Sequence, residues 1–138
     1  MRKRDEAMKK LIIKIILGLF ATAIVIYIAL LVSTNGLMKE VKSVFLGNID
    51  ILETEGKPID RYNIDKYLIN KELGDVKLSI VRIFTLHNFS DGYIWIRYTF
   101  EAKDTVGKVI TGSYNIPAKW KIHKRAGKWE IAEIYEAP

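Results

Sequence analysis

The chemistry open to this chain rests on two histidines, on tyrosines and tryptophans set at alternating positions, and on no cysteine at all. Without cysteine there is no disulfide, no thiol nucleophile and no thiolate ligand. His87 and His123 are the only imidazoles, the side chains that ordinarily titrate near neutrality. His87 falls in the turn segment HNFSDG, and His123 on the polar alternation of a strand near its end. A solvent-exposed ring is therefore the expectation for both. Two histidines without clustered carboxylates make a poor metal site, so neither a metal nor another cofactor is expected. The carboxylates fit local structure instead: Asp60 and Asp65 stand where helices start, Asp91 and Asp104 in turns. Neither a nucleophile–base pairing nor a glycine-rich phosphate loop is legible. The expectation is a chain that is not an enzyme.

What remains are two sets of side chains with binding chemistry. After Gly74 the apolar period becomes two, and strands are predicted over 76–87, 93–103, 108–123 and 128–135. Ile94, Ile96, Tyr98, Phe100 and Ala102 share one face of the second strand; Tyr93, Trp95, Arg97, Thr99 and Glu101 share the other. A three-residue loop Thr105-Val106-Gly107, with Gly107 left-handed, pairs Asp104 with Lys108. It sets Tyr98 opposite Tyr114 and Ile96 opposite Ile116, so both apolar faces fall on one side. Tyr98, Tyr114 and Trp120 then line an apolar pocket with hydroxyl handles, or are core whose polar atoms are satisfied internally. Tyr93, Trp95 and Arg97 with Lys119 and Lys121 form an aromatic, basic patch on the other side. That patch suits a protein interface, and the alternatives are a solvated sheet face or one covered by a second copy. For the last hairpin two registers stay open. A three-residue loop Arg125-Ala126-Gly127 sets Ile122 against Glu130, and a shift of one sets it against Ile131. A bulge near Pro117 would reconcile them.

Helices must hold that sheet. Leu37 begins a stripe through Met38, Val41, Phe45, Ile49 and Leu52, read as one amphipathic helix that Gly56-Lys57-Pro58 ends. A second, shorter helix follows with Tyr62, Leu68, Ile69 and Leu73 on its apolar face and Gly74 as its stop.

Before them lies a different kind of segment. Leu11 to Val32 carries Lys14 as its only charge. Its 22 residues rise roughly 33 Å as a helix, against a hydrocarbon core of about 30 Å. A cleaved leader would have an apolar region of about 7–15 residues and small residues at the cleavage positions. Ile15 to Val32 is longer, and Leu31-Val32-Ser33-Thr34 is a poor site, so an uncleaved anchor is expected. Six basic residues against two acidic ones in residues 1–14 leave +4 of the chain's +6, with 16 basic and 14 acidic residues elsewhere. The charge is thus an orientation signal that puts the N-terminus inside. The expected layout is a basic cytoplasmic tail over 1–10, a transmembrane helix over 11–33, and an extracytoplasmic domain over 34–138. The lack of cysteine with heavy use of Ile and Lys points to a bacterium, so the expectation is a single-pass protein of a bacterial plasma membrane. The bilayer is one partner, through residues 11–33. A membrane protein or a second copy is the other, and nucleic acid is not expected because the domain's own net charge is small.

Two helices followed by a long antiparallel meander ending in Gly127-Lys128-Trp129 and the alternation GKWEIAEIYEA resemble the nuclear transport factor 2-like, cystatin-like α+β superfamily over about residues 36–138. The segment from Tyr93 to Tyr135 also resembles small extracytoplasmic domains of Gram-positive bacteria. The anchored layout resembles components of conjugation apparatus. The resemblance implies a curved antiparallel sheet of four strands wrapped around two helices, or three on the family pattern, as a cone. It also implies a choice of roles: isomerases and dehydratases with an acid or base inside the cone, modules holding a small apolar ligand there, or non-catalytic parts of transport and secretion machines. The expectation taken from the residues is the last of these.

Overall fold

The structure is a computed structural model that describes residues 2–49, 51–63 and 74–136. The chain divides into two units, Met1–Ser33 and Thr34–Pro138. The first is one helix, α1, Arg2–Ser33. By length and composition it is able to cross a membrane. Within it the Thr22 hydroxyl donates to the Gly18 carbonyl one turn back at 2.9 Å, so that this donor is satisfied inside the helix.

The second unit is α+β. Among the described residues its helical part comprises α2 (Asn35–Phe45), α3 (Ile51–Thr54) and a 3₁₀ turn over Pro58–Tyr62. The single helix expected from Leu37 onward is broken after Phe45. Gly47 takes φ +71°, its N–H donates to the Val44 carbonyl at 3.1 Å, and the Asn48 N–H reaches back to Ser43 at 3.0 Å. These paired bonds close a helix end that only a left-handed residue, here glycine, forms without strain. The apolar stripe continues past this break, which is why periodicity alone reads one helix. The side chain of Leu52 and the helix expected through Leu68, Ile69 and Leu73 lie outside the described residues.

Four antiparallel strands follow in the order β1-β2-β3-β4 as an open sheet: β1 Asp75–His87, β2 Asp91–Lys103, β3 Val109–Arg125 and β4 Lys128–Glu136. Ile94, Ile96, Phe100 and Ala102 of β2 are buried with Ala118, Trp120 and Ile122 of β3 and Trp129 and Ile131 of β4. Against them pack Leu37, Val41, Val44 and Phe45 of α2, with Ile59 and Tyr62 of the 3₁₀ turn. This inner face is where the unit hides its apolar area from water, the main term favouring the fold.

The β2–β3 loop has the expected form. The Asp104 N–H donates to the Lys108 carbonyl at 2.9 Å, and Gly107 is left-handed. The register beyond it differs from the expectation. Lys103 faces Val109, but Ala102 faces Thr111, Phe100 faces Ser113, and Tyr98 faces Ile116 instead of Tyr114. Two bulges each insert one extra residue into β3. The first is at Ile110. The second lies between Ser113 and Ile116, where Asn115 adopts φ +53° and its N–H donates to Thr99 Oγ1 at 2.9 Å. Between the slips the faces are exchanged, and after the second they are restored.

In the last hairpin the shift of one prevails, and Ile122 faces Ile131. The loop is two residues, Ala126 and Gly127, both at positive φ (51° and 76°), the geometry that suits the twist of paired strands. The compensating bulge lies in β4, where Lys121 faces Glu133 and Ala132 is the extra residue. Pro117 pairs in register with Arg97.

Candidate functional site

The outer face of the sheet is built by register. Trp95 of β2 has Phe84 of β1 on one side and Lys119 of β3 on the other, and Lys119 faces Tyr135 of β4. One row along, Leu86, Tyr93, Lys121 and Glu133 are neighbours across the same strands. A third row holds Val81, Arg97 and Pro117. All five residues expected in the patch (Tyr93, Trp95, Arg97, Lys119 and Lys121) therefore stand on one face.

The rings are in mutual contact. Phe84 and Trp95 have centroids 5.5 Å apart, and Tyr93 and Trp95 5.9 Å. The Lys119 ammonium stands 5.2 Å from the Tyr93 ring centre and 5.0 Å from that of Tyr135, close enough for attraction to both ring faces. Trp95 is half-buried, and its ring partners belong to the sheet, not to a helix.

Sequence reasoning missed the β1 half of this surface. Up to Arg82 the even positions of β1 point inward; Arg82 faces Ile96, yet Phe84 faces Trp95, so Ile83 is an extra residue. The bulge turns Phe84 and Leu86 outward beside Trp95 and Tyr93. Val81, Ile83, Phe84 and Leu86 are 52%, 54%, 43% and 53% exposed. Apolar residues fall on both parities between Ile80 and Leu86, so alternation gives no signal there. Single exposed apolar side chains are ordinary, whereas a contiguous group marks a surface with a use. Next to it, Ile83, Trp95, Arg97, Pro117 and Lys119 line a shallow depression of about 300 Å³.

The inner face carries a cavity of about 230 Å³ among Phe45, Tyr62, Tyr98 and Phe100. Thr111 and Ser113 reach it because the two β3 bulges exchange the faces between them. At its mouth Arg61 donates to Glu136 Oε2 at 2.8 Å, while the Tyr98 hydroxyl donates to Glu136 Oε1 at 2.9 Å. Burial, and then the bond to Glu136, raise the Tyr98 pKa well above the ordinary phenol value.

The three residues expected to line a pocket are separated. Tyr98 lines the cavity. Trp120 is fully buried core, its indole N–H donating to the Tyr62 hydroxyl at 2.7 Å. Tyr114 is not on the inner face at all: it is 56% exposed on the outer side. The first bulge, at Ile110, turns it outward, where its hydroxyl donates to Glu101 and its ring covers Gly112. That bond lowers the Glu101 pKa and raises that of Tyr114.

The histidines also part company. His123 lies at the surface, 3.6 Å from Glu130. His87, expected to be exposed in a turn, is buried at the end of β1. Its ring centre is 4.7 Å from that of Trp129, and Nδ1 accepts the Phe89 N–H at 2.9 Å. A residue of β4, distant in sequence, covers it. Among the described residues no group of three His, Asp or Glu side chains is placed to hold a metal.

Comparison with family models, with curated proteins and with solved structures finds no match to this chain. The geometry of its own two faces is what bears on function. The outer one is a broad, ring-lined and basic surface, the inner one a small cavity closed by an ion pair.

Proposed function

We propose that this chain is a non-enzymatic, single-pass membrane protein whose extracytoplasmic domain docks onto another protein of a bacterial envelope, secretion or conjugation-type assembly. In this reading residues 1–10 lie in the cytoplasm, residues 11–33 span the plasma membrane, and the domain from residue 34 is outside. The nuclear transport factor 2-like resemblance belongs to the same proposal, supported by the order of elements: helices first, then a four-stranded antiparallel meander.

The observation that carries the reading is the outer sheet face. Three cross-strand rows bring four aromatic rings, exposed aliphatic side chains and three cations onto one surface, while the core's helical residues pack on the other. Burial of half-exposed rings next to arginine and lysine is how protein interfaces gain most of their energy. The test is a photo-crosslinking residue at Leu86 in the full-length protein in cells, with detergent extraction and identification of the product. A specific membrane protein captured in the parent and lost with Trp95→Ala plus Arg97→Ala supports the reading. Recovery of the chain alone, or only crosslinked to itself, refutes it.

The inner cavity favours a second reading, a module that holds a small apolar molecule against Tyr98. Mass spectrometry of the protein extracted under non-denaturing conditions tests it. A retained small molecule lost on Ser113→Trp, which fills the cavity, supports this reading; a parent protein that carries none counts against it.

A further inference from the structure

The charges on the outer face specify the partner further. Glu133 is the carboxylate of its central rows, and it is already engaged: Lys121 Nζ lies 3.8 Å from it and the Tyr135 hydroxyl donates to it. Arg97 and Lys119 form no ion pair among the described residues. They stand on adjacent strands, since Arg97 faces Pro117 and Lys119 is two residues further along. Such diagonal neighbours have backbones roughly 7–8 Å apart, a spacing that two long side chains close around one carboxylate. Both cations line the 300 Å³ depression, whose remaining wall is Ile83, Trp95, Ile96, Pro117 and Ala118. A carboxylate set between the two cations would leave its own carbon chain, or an apolar neighbour, against the indole.

A second copy of this chain does not meet that requirement. A two-fold pairing of this face with itself brings Arg97, Lys119 and Lys121 toward the same three cations, and like charges across an interface disfavour association. Nor does a neutral apolar partner, which would strip water from two cations and return nothing to them.

From this we infer that the depression beside Trp95 receives a carboxylate of the partner, and that the docking segment carries acidic side chains among apolar ones. The inference rests on the outer face being the docking surface, and the experiment separates its failure from a failure of that reading. The full chain is placed in phosphatidylcholine nanodiscs. Three fluorescent peptides are titrated against it, identical in their alternating Leu and Phe residues and differing only in having Glu, Gln or Lys between them.

The Glu peptide is expected to bind about tenfold more tightly than the Gln peptide, the worth of one charge-assisted contact, and to weaken as salt is added. The Lys peptide is expected to show no saturable binding. Arg97→Gln with Lys119→Gln removes the tenfold preference, Arg97→Glu with Lys119→Glu transfers it to the Lys peptide, and Trp95→Ala weakens the Glu and Gln peptides alike. Both cations are at the surface, so these variants keep the core. Equal binding of Glu and Gln peptides that still depends on Trp95 overturns the acidic preference and leaves the docking surface standing. Binding that ignores Trp95, or a Glu peptide that does not bind, overturns the inference. The crosslink from Leu86 then judges the docking reading separately.

Discussion

The indole N–H of Trp120 and the hydroxyl of Tyr62 meet at 2.7 Å inside the core, joining the centre of β3 to the turn that follows the helices. Trp120 is 0% exposed and Tyr62 3%, so no solvent is available to replace either partner. Tyr62→Phe keeps the ring and orphans the indole donor. The expected loss is about 1–3 kcal/mol of unfolding free energy, read from urea denaturation of the full chain in detergent micelles. A smaller change on Trp120→Phe in the Tyr62→Phe background than in the parent identifies the bond as the cause.

Tyr62 and Tyr98 both have pKa values raised above the ordinary 10.0, in each case chiefly by burial. The unfolded chain therefore ionises first as pH rises. Their contribution to stability is complete below pH 10 and declines as pH climbs beyond it toward the folded-state values. Phenolate absorbance is expected to show these two tyrosines titrating last, together with loss of the folded circular dichroism signal. Normal ionisation of Tyr62 and Tyr98 before unfolding would contradict the burial.

The β3–β4 turn places a residue with a side chain, Ala126, at φ +51°, with Gly127 at +76°. Alanine is held there at a cost of about 1–2 kcal/mol, which asparagine meets more easily. Ala126→Asn is expected to stabilise the domain by about 0.5–1 kcal/mol, and Gly127→Ala to destabilise it by about 1 kcal/mol. Thermal unfolding of the two variants beside the parent reads both signs.

The absence of cysteine makes topology measurable residue by residue. In intact cells a membrane-impermeant maleimide is expected to label Thr105→Cys, at the exposed β2–β3 loop, and to label Lys3→Cys only after permeabilisation. The reverse pattern would invert the proposed orientation. Labelling of both in intact cells would show that the apolar helix does not hold the tail inside.

Much of the fold is legible where one physical signal dominates. In β2 every second residue from Ile94 to Ala102 is apolar, and alternation fixes that face without ambiguity. The turn at Asp104–Lys108 is equally plain, because a glycine and an aspartate each fit one position. The β1 surface is not legible, because Ile80, Val81, Ile83, Phe84 and Leu86 satisfy either parity. Tyr114 faces outward for a related reason: the extra residue at Ile110, which turns it over, leaves no mark in the local alternation, and the left-handed Asn115, held by its bond to Thr99 on the neighbouring strand, restores the faces only after it. His87 owes its burial to Trp129, whose position depends on the completed sheet.

The paired slips in β3 behave like a reading frame with a two-residue period. Each extra residue by itself would turn the rest of the strand over, sending Trp120 and Ile122 toward water and Lys119 and Lys121 into the core. Together they cancel, and only the short interval holding Thr111 and Ser113 stays inverted. Insertions and deletions in this strand are therefore survivable in even numbers or not at all. As the chain diverges, lengths of the segment between Gly107 and Pro117 should differ by two, or by none.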